Sequence, residues 1–329
     1  MKKKISLFSV GVLLCSYLAG VVPAQAAGST GSLPPYLDPT QPSAARVSDL
    51  LGRMTLDEKI GQMIQAERAS VTPEEVKDNF LGSVLSGGGS FPDGKQSAST
   101  REKWSEMVDQ FQDGALSTRL GIPLLYGVDA LHGHNNVIDA TLFPHNIGLG
   151  ATRNPALVKQ IGAAAAEEIK SAGTNWTFAP TIADPQNPRW GRTYEGFGDD
   201  VRLVAQMGAA YIQGLQGDTA GQLKQPTKVV ATAKHFFGEG YTKNGTNQGD
   251  VADFTEQQMI DKDLLAYKEA IKAGAKVVMA SYSSIQGIKM HANKRLLTDV
   301  LKGQLGFDGF VVSDWNGIEQ ISKDWTAKR

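Results

Sequence analysis

Apolar runs and helical patterns take turns along this chain, and that alternation constrains its fold more than any other feature. Helical periodicity falls near 43–66, 100–118, 154–173, 199–217, 255–273 and 293–305. Between these segments lie short apolar runs at Gly82 to Leu85, Pro123 to Val128, Trp176 to Ala179, Val229 to Ala233, Lys276 to Ala280 and Gly309 to Val312. Unbroken apolar runs of this length read as strands buried on both faces, and strands alternating with helices imply a parallel sheet covered by helices. The expected class is α/β, as a (β/α)8 TIM-type barrel. A doubly wound nucleotide-binding sheet is the alternative, but no strand here runs into the Gly-x-Gly-x-x-Gly turn that grips a pyrophosphate. Gly87-Gly88-Gly89 is a turn only.

The two ends of the chain read differently from its body. Met1-Lys2-Lys3-Lys4 is a positive stretch, Ile5 to Val22 is mostly apolar, and Ala24-Gln25-Ala26 is a small-x-small cleavage site, so residues 1–26 are expected to be a secretory signal peptide. Residues 27–44 are Pro/Ser/Gly-rich and read as a flexible lead-in to a domain over 45–329. The mature protein is therefore expected outside the cytoplasm, in the periplasm or the medium, with no membrane anchor. After Asp314 no further apolar strand follows, and about two of eight βα units are not found, so the barrel is expected to be incomplete at its C-terminal end. Such a barrel has two bare sheet edges, and the chain by itself is expected to fold poorly and turn over little.

Composition removes several function classes. Of 329 residues 20% are charged and the net charge is -1, which gives no basic surface for nucleic acid. The single cysteine, Cys15, lies in the signal segment, leaving the rest without thiolate chemistry, disulfides or Cys-type metal sites. A His132-x-His134 zinc site is conceivable from spacing, but no metal and no cofactor are expected.

Residues just past the C-terminal ends of barrel strands line the active site in this architecture. Here the successive strand ends supply Asp129, Arg192, the pair Lys234-His235, Tyr282, and then Asp314 with Trp315. Taken singly each has an ordinary explanation: Asp314 caps the following helix, Arg192 is a surface ion-pair partner, Lys234 a solvated side chain, His235 a loop histidine and Tyr282 a packing residue. Together they would place acids, cations and aromatic faces at one mouth, and isolated charges there are expensive unless they meet partners. Both charge signs with ring faces suit a polyhydroxylated ligand, because hydroxyls satisfy the polar groups and sugar C–H faces stack on the rings. A phosphate would be repelled by Asp129 and Asp314.

The strings GVDALHG, NPRWGRTYEGFGDD, KHFFGEG, VVMASYSSIQGIKMHAN and GFVVSDWNGI, in this order, resemble the N-terminal barrel of glycoside hydrolase family 3, the β-glucosidase and exo-glucanase family. The likeness spans about residues 45–321. It implies that Asp314 is the nucleophile that forms a covalent glycosyl intermediate. It implies further that Asp129, Arg192, Lys234, His235 and Tyr282 hold the hydroxyls of the non-reducing sugar, with Met279 near them and Trp315 one side of an aromatic clamp. Retaining glycosidases set a second carboxyl ~5 to 5.5 Å from the nucleophile as acid/base. In the two-domain branch that group comes from a following sandwich domain, which is not found in this sequence. In the branch resembling β-N-acetylhexosaminidases it is a His in the loop after the Lys-His strand. Here that loop reads Gly238-Glu239-Gly240-Tyr241-Thr242-Lys243-Asn244, with no such His, and Glu239 reads as structural. The expected activity is hydrolysis of β-linked glucosides or β-glucan oligosaccharides. Alternatives are a non-catalytic saccharide-binding fragment or a β-N-acetylhexosaminidase-like activity.

Overall fold

The computed structural model describes residues 33–321. The expected signal segment 1–26 and the tail after Ile321 lie outside the described residues. Two compact units divide the chain, with the boundary between Arg53 and Met54. In the first, a 3-10 turn Pro35–Leu37 leads to helix α1 (Ser43–Arg53). Asp49 of α1 ties these together by accepting the Tyr36 backbone N–H at 3.1 Å and pairing with Arg53 at 2.9 Å.

The second unit begins with α2 (Leu56–Gln62), β1 (Gln65–Glu67), α3 (Pro73–Asp78), β2 (Ser83–Ser86), α4 (Arg101–Leu116), β3 (Leu125–Val128), α5 (Asn146–Ala151) and α6 (Pro155–Ser171). There follow β4 (Trp176–Thr177), α7 (Val201–Gln216), β5 (Thr232–Phe236), β6 (Asp250–Val251), α8 (Glu256–Lys272), β7 (Val277–Ala280), β8 (Ser284–Ile285), β9 (Ile288–Lys289), a π-helical stretch Arg295–Gln304 and β10 (Phe310–Val312). Strands β1-β2-β3-β4 and β5-β7-β10 form two parallel sheets. Bridges from Trp176 to Val230 and from Thr181 to Lys234 join them into one parallel series of seven strands. Strands β6, β8 and β9 make a small separate sheet. Among the described residues no helix is long and apolar enough to cross a membrane.

The sheet curves like part of a barrel wall. Trp176 of β4 and Phe310 of β10 stand several strands apart in the series, yet their ring centroids are 5.5 Å from one another. They meet because the inward-facing residues converge: Trp176, Phe178, Val277, Met279 and Val312 are buried together, with Leu85, Leu125 and Val230 against them. Filling a barrel interior with layers of side chains is what makes it a core rather than a pore. Gly127 of β3 is required by that filling. A Cβ there would stand 2.5 Å from the Phe178 ring, so the strand must present a bare backbone where the ring packs. Outside the wall, a separate and larger apolar core runs beneath the helices.

The structure corrects two sequence expectations. Residues 43–66 are not one helix. Thr55 accepts the Glu58 N–H and Glu58 accepts the Thr55 N–H, a capping box that starts α2 afresh, and the segment then ends in β1. The barrel series therefore has seven strands among the described residues rather than the six expected. The strand placed at Val229 to Ala233 starts later, at Thr232, and runs through Phe236. No strand pairs with the outer edge of β1 or of β10 among the described residues.

Candidate active site

The strand shift changes how Lys234 and His235 reach the mouth: they lie inside β5, not past it. All five residues of β5 are buried. Pairing with β7 runs Thr232 to Val277, Ala233 to Val278 and Lys234 to Met279, then skips His235 and resumes with Phe236 to Ala280. An extra, unpaired residue in a ladder bends the strand and re-aims its side chain. The slip lets two neighbouring residues both serve the mouth, where strict alternation would send one of them to the other face. The Lys234-His235 and Phe236-Phe237 peptides are cis.

Around this slip the polar groups of five chain segments meet. Lys234 Nζ lies 3.2 Å from Asp129 Oδ1, just past β3. His235 Nε2 lies 3.7 Å from Asp314 Oδ2 past β10 and 3.1 Å from Arg192 Nη2 in the loop after β4. Arg192 forks onto Glu195 with bonds of 2.8 and 2.7 Å. Tyr282, past β7, donates its hydroxyl to the Trp315 backbone carbonyl. Asp314 folds back so that Oδ1 accepts the Trp315 N–H at 2.7 Å, leaving Oδ2 turned to His235. The Asp314 side chain is 16% exposed, reachable yet largely screened from water. Of the eight residues singled out from sequence, six thus share one connected mouth: Asp129, Arg192, Lys234, His235, Tyr282 and Asp314. Met279 lies in the apolar plug beneath it, and Trp315 is half exposed at the rim.

The electrostatics follow from burial countered by pairing. Burial opposes the charges of Arg192 and Glu195, but their two hydrogen bonds outweigh it, holding the guanidinium pKa above its usual value and the carboxyl below. Burial, reinforced by the Arg192 and Lys234 charges, pushes His235 well below the normal imidazole pKa. Burial raises the Glu239 carboxyl to about 7. Burial and the nearby Asp314 charge raise the Tyr282 phenol, keeping it a donor.

Three participants have no single-residue signal in the sequence. Glu195 sits three residues after Arg192 and Glu239 four after His235, spacings that only acquire meaning once each pair is seen bonded. His291 comes from the turn after β9, and its Nε2 accepts the Asp314 backbone N–H at 3.2 Å. The ring is let in by Gly317, where a Cβ would stand 2.4 Å from Nε2. Burial and Lys289 lower the His291 pKa to about 4, so Nε2 is a bare acceptor at neutral pH. Gly317 has φ -64, which any residue tolerates, so the penalty for a side chain there comes from the ring alone. Gly317→Ala is expected to destabilise the chain by about 1–3 kcal/mol in thermal melts. Adding His291→Ala should return part of that loss, and strictly additive effects would refute the contact.

The His-x-His pair does not converge on an ion. His132 engages the Phe143 carbonyl at 2.9 Å and stacks on His145, whereas His134 is buried edge-on to Trp104. Among the described residues no group of three metal-binding side chains gathers.

The family model described as "Glycosyl hydrolase family 3 N terminal domain" matches residues 55–328. The chain is 33% identical to a lysosomal beta glucosidase of Dictyostelium discoideum, over 84% of this chain and 35% of that protein. It is also 33% identical to a periplasmic beta-glucosidase of Salmonella typhimurium, over 88% and 36%. Among solved structures, a Q683A mutant of an exo-1,3/1,4-beta-glucanase from a Pseudoalteromonas species superposes with a TM-score of 0.82 at 42% identity, covering 86% of this chain and 46% of that one. A beta-glucosidase from Listeria innocua in complex with isofagomine superposes with a TM-score of 0.73 at 31% identity, over 84% and 37%. The chain thus spans about a third of the length of these two curated relatives.

Proposed function

The chain belongs to glycosyl hydrolase family 3, through that family's N-terminal domain, and from this premise we propose that it serves to hydrolyse terminal non-reducing β-D-glucosyl residues of β-glucosides or β-glucan oligosaccharides, with retention of configuration. The observation that carries the reading is the Asp314 carboxylate, turned toward His235 and Arg192 at the end of a parallel strand. In the first displacement Asp314 Oδ2 attacks the anomeric carbon and the leaving-group oxygen departs. Water then attacks the same carbon and releases Asp314. Lys234 and Asp129 offer a donor and an acceptor to the sugar hydroxyls, and Arg192, His235 and Tyr282 complete the ring of contacts. Trp315, 51% exposed, offers a stacking face to the next sugar, and Met279 closes the floor.

Glu195 and Glu239 are each bound to a partner in this mouth, Arg192 and His235. The proton for the leaving oxygen is assigned to a group outside the described residues. The reading requires no metal or cofactor. Residues 1–26 fit an export signal, and the periplasmic naming of the Salmonella relative supports a location outside the cytoplasm.

A dinitrophenyl β-glucoside tests the nucleophile apart from the acid, because its leaving group needs no protonation. A burst of phenolate stoichiometric with protein is expected, and a 2-deoxy-2-fluoro-glucoside should leave a covalent label on Asp314. Mass spectrometry of that labelled protein also reads the mature N-terminus, expected at Ala27. No burst and no label would leave saccharide binding as the function.

A further inference from the structure

We propose that Glu239 is a positioning residue: by accepting the proton on Nδ1 of His235 it keeps the lone pair on Nε2, and so tethers Arg192 beside Asp314. The catalytic consequence rests on the glucosidase reading above; the proton assignment does not.

Donor and acceptor chemistry forces the assignment. A guanidinium has only donors. Arg192 Nη2 lies 3.1 Å from His235 Nε2, so that nitrogen must be bare. A neutral imidazole then carries its proton on Nδ1, which lies 2.7 Å from Glu239 Oε1. The same oxygen accepts the His235 backbone N–H at 3.3 Å, fixing the carboxylate against ring and main chain together. A partner on one ring nitrogen sets the state of the other, as in carboxylate–histidine pairs generally. The turn Glu239–Tyr241 that carries this acid is itself pinned, since Gly240 accepts the Gln186 N–H at 3.0 Å.

The surroundings make the pair sensitive to pH. On its ring side Glu239 faces the Arg192 and Lys234 charges, with Asp314 and Glu195 around His235. On the α8 side stand Asp263 and Tyr267, both buried, with that burial raising the pKa of each, and Asp184 lies beyond Asp263. Burial places the Glu239 carboxyl at about 7. Below that pH the His235–Glu239 pair takes up one proton as a unit; whenever that proton leaves the ring carrying hydrogen on both nitrogens, Nε2 no longer accepts from Arg192, a state that a neutral amide at position 239 reaches only at lower pH. Labelling of Asp314 is therefore expected to be full above about pH 7 and to fall as the pair protonates.

Two variants of the full chain separate the roles. Glu239→Gln keeps an acceptor oxygen and removes the titration; Glu239→Met fills the space without an acceptor. With histidine-15N labelling at pH 8, His235 is expected to show a protonated Nδ1 and a bare Nε2 in the wild type and in Glu239→Gln. In Glu239→Met the proton should move to Nε2 or average between the nitrogens, and fluoro-glucoside labelling of Asp314 should slow about 10²-fold. Glu239→Gln should label at a wild-type rate at pH 8, with the acid limb near 7 displaced downward. Unchanged shifts of the other histidines report an intact fold, and if Glu239→Met unfolds, the acid limb of Glu239→Gln still decides. A protonated Nε2 in the wild type, an unmoved acid limb in Glu239→Gln, or a Glu239→Met variant with unchanged tautomer and rate would overturn the proposal. The expected tautomer without any labelling of wild type would sustain the proton assignment and overturn the glucosidase reading.

Discussion

Replacing Asp314 by Ala is expected to slow hydrolysis of an aryl β-glucoside by roughly 10⁴-fold or more, about 5.4 kcal/mol of barrier. The size of the effect follows from mechanism: without the carboxylate no glycosyl intermediate forms, and one hard displacement replaces two easier ones. The loss should not come from unfolding, since the Asp314 N–H to His291 is a backbone bond that Ala retains. Azide supplies the test. A small anion entering the space left by the side chain attacks from the face Asp314 occupied, so the variant should regain turnover and release the α-glucosyl azide. Turnover unaffected by the substitution, or rescue that yields the β-azide, would remove Asp314 from the role of nucleophile.

Arg192→Met should produce the largest loss of stability, about 3–5 kcal/mol, because it strands a buried carboxylate. Glu195 is only 9% exposed, and without Arg192 its carboxylate is left with a 3.4 Å bond from the Thr181 hydroxyl and the more distant Lys234 charge. The same change removes the donor on His235 Nε2. Denaturant titration of Arg192→Met and of Arg192→Met/Glu195→Leu measures the two effects separately. The double variant, with both charges gone, should recover most of the stability but none of the labelling of Asp314. Equal stability of the single variant and the wild type would mean that the pair is solvated rather than buried.

What could be read from the sequence follows from what each signal depends on. Apolar runs located β2, β3, β4, β7 and β10, because a strand buried on both faces has to be apolar whatever surrounds it. β1, with the sequence Gln-Ala-Glu, carries no such run and exists through its pairing with β2, so periodicity carried the preceding helix straight through it. Yet Thr55 and Glu58 already spell the capping box that divides α1 from α2. The displaced start of β5 has a related cause. Val229-Val230-Ala231 looks like strand, but the strand that forms includes a lysine and a histidine, which hydropathy alone assigns to a loop.

The mouth was legible where residue type and strand end coincided, as at Asp129 and Asp314, and at Lys234 and His235 through a strand end expected too early, at Ala233 rather than Phe236. It was not legible for residues whose role consists of a bond to another side chain. Glu195 lies within a motif read for its arginine, Glu239 within a loop read for a missing histidine, and His291 in a turn well before the carboxylate whose backbone it engages. Such partners are set by three-dimensional closure, and no local pattern encodes them.

The unmatched residue in β5 has a practical consequence for anyone recombining barrels. A ladder-matched segment from a barrel whose fifth strand runs in perfect register would carry one residue fewer between Thr232 and Phe236. Because side chains alternate along a strand, the graft would turn either the lysine or the imidazole into the wall. Crossovers that preserve this mouth must therefore fall outside β5, so that the strand is inherited whole.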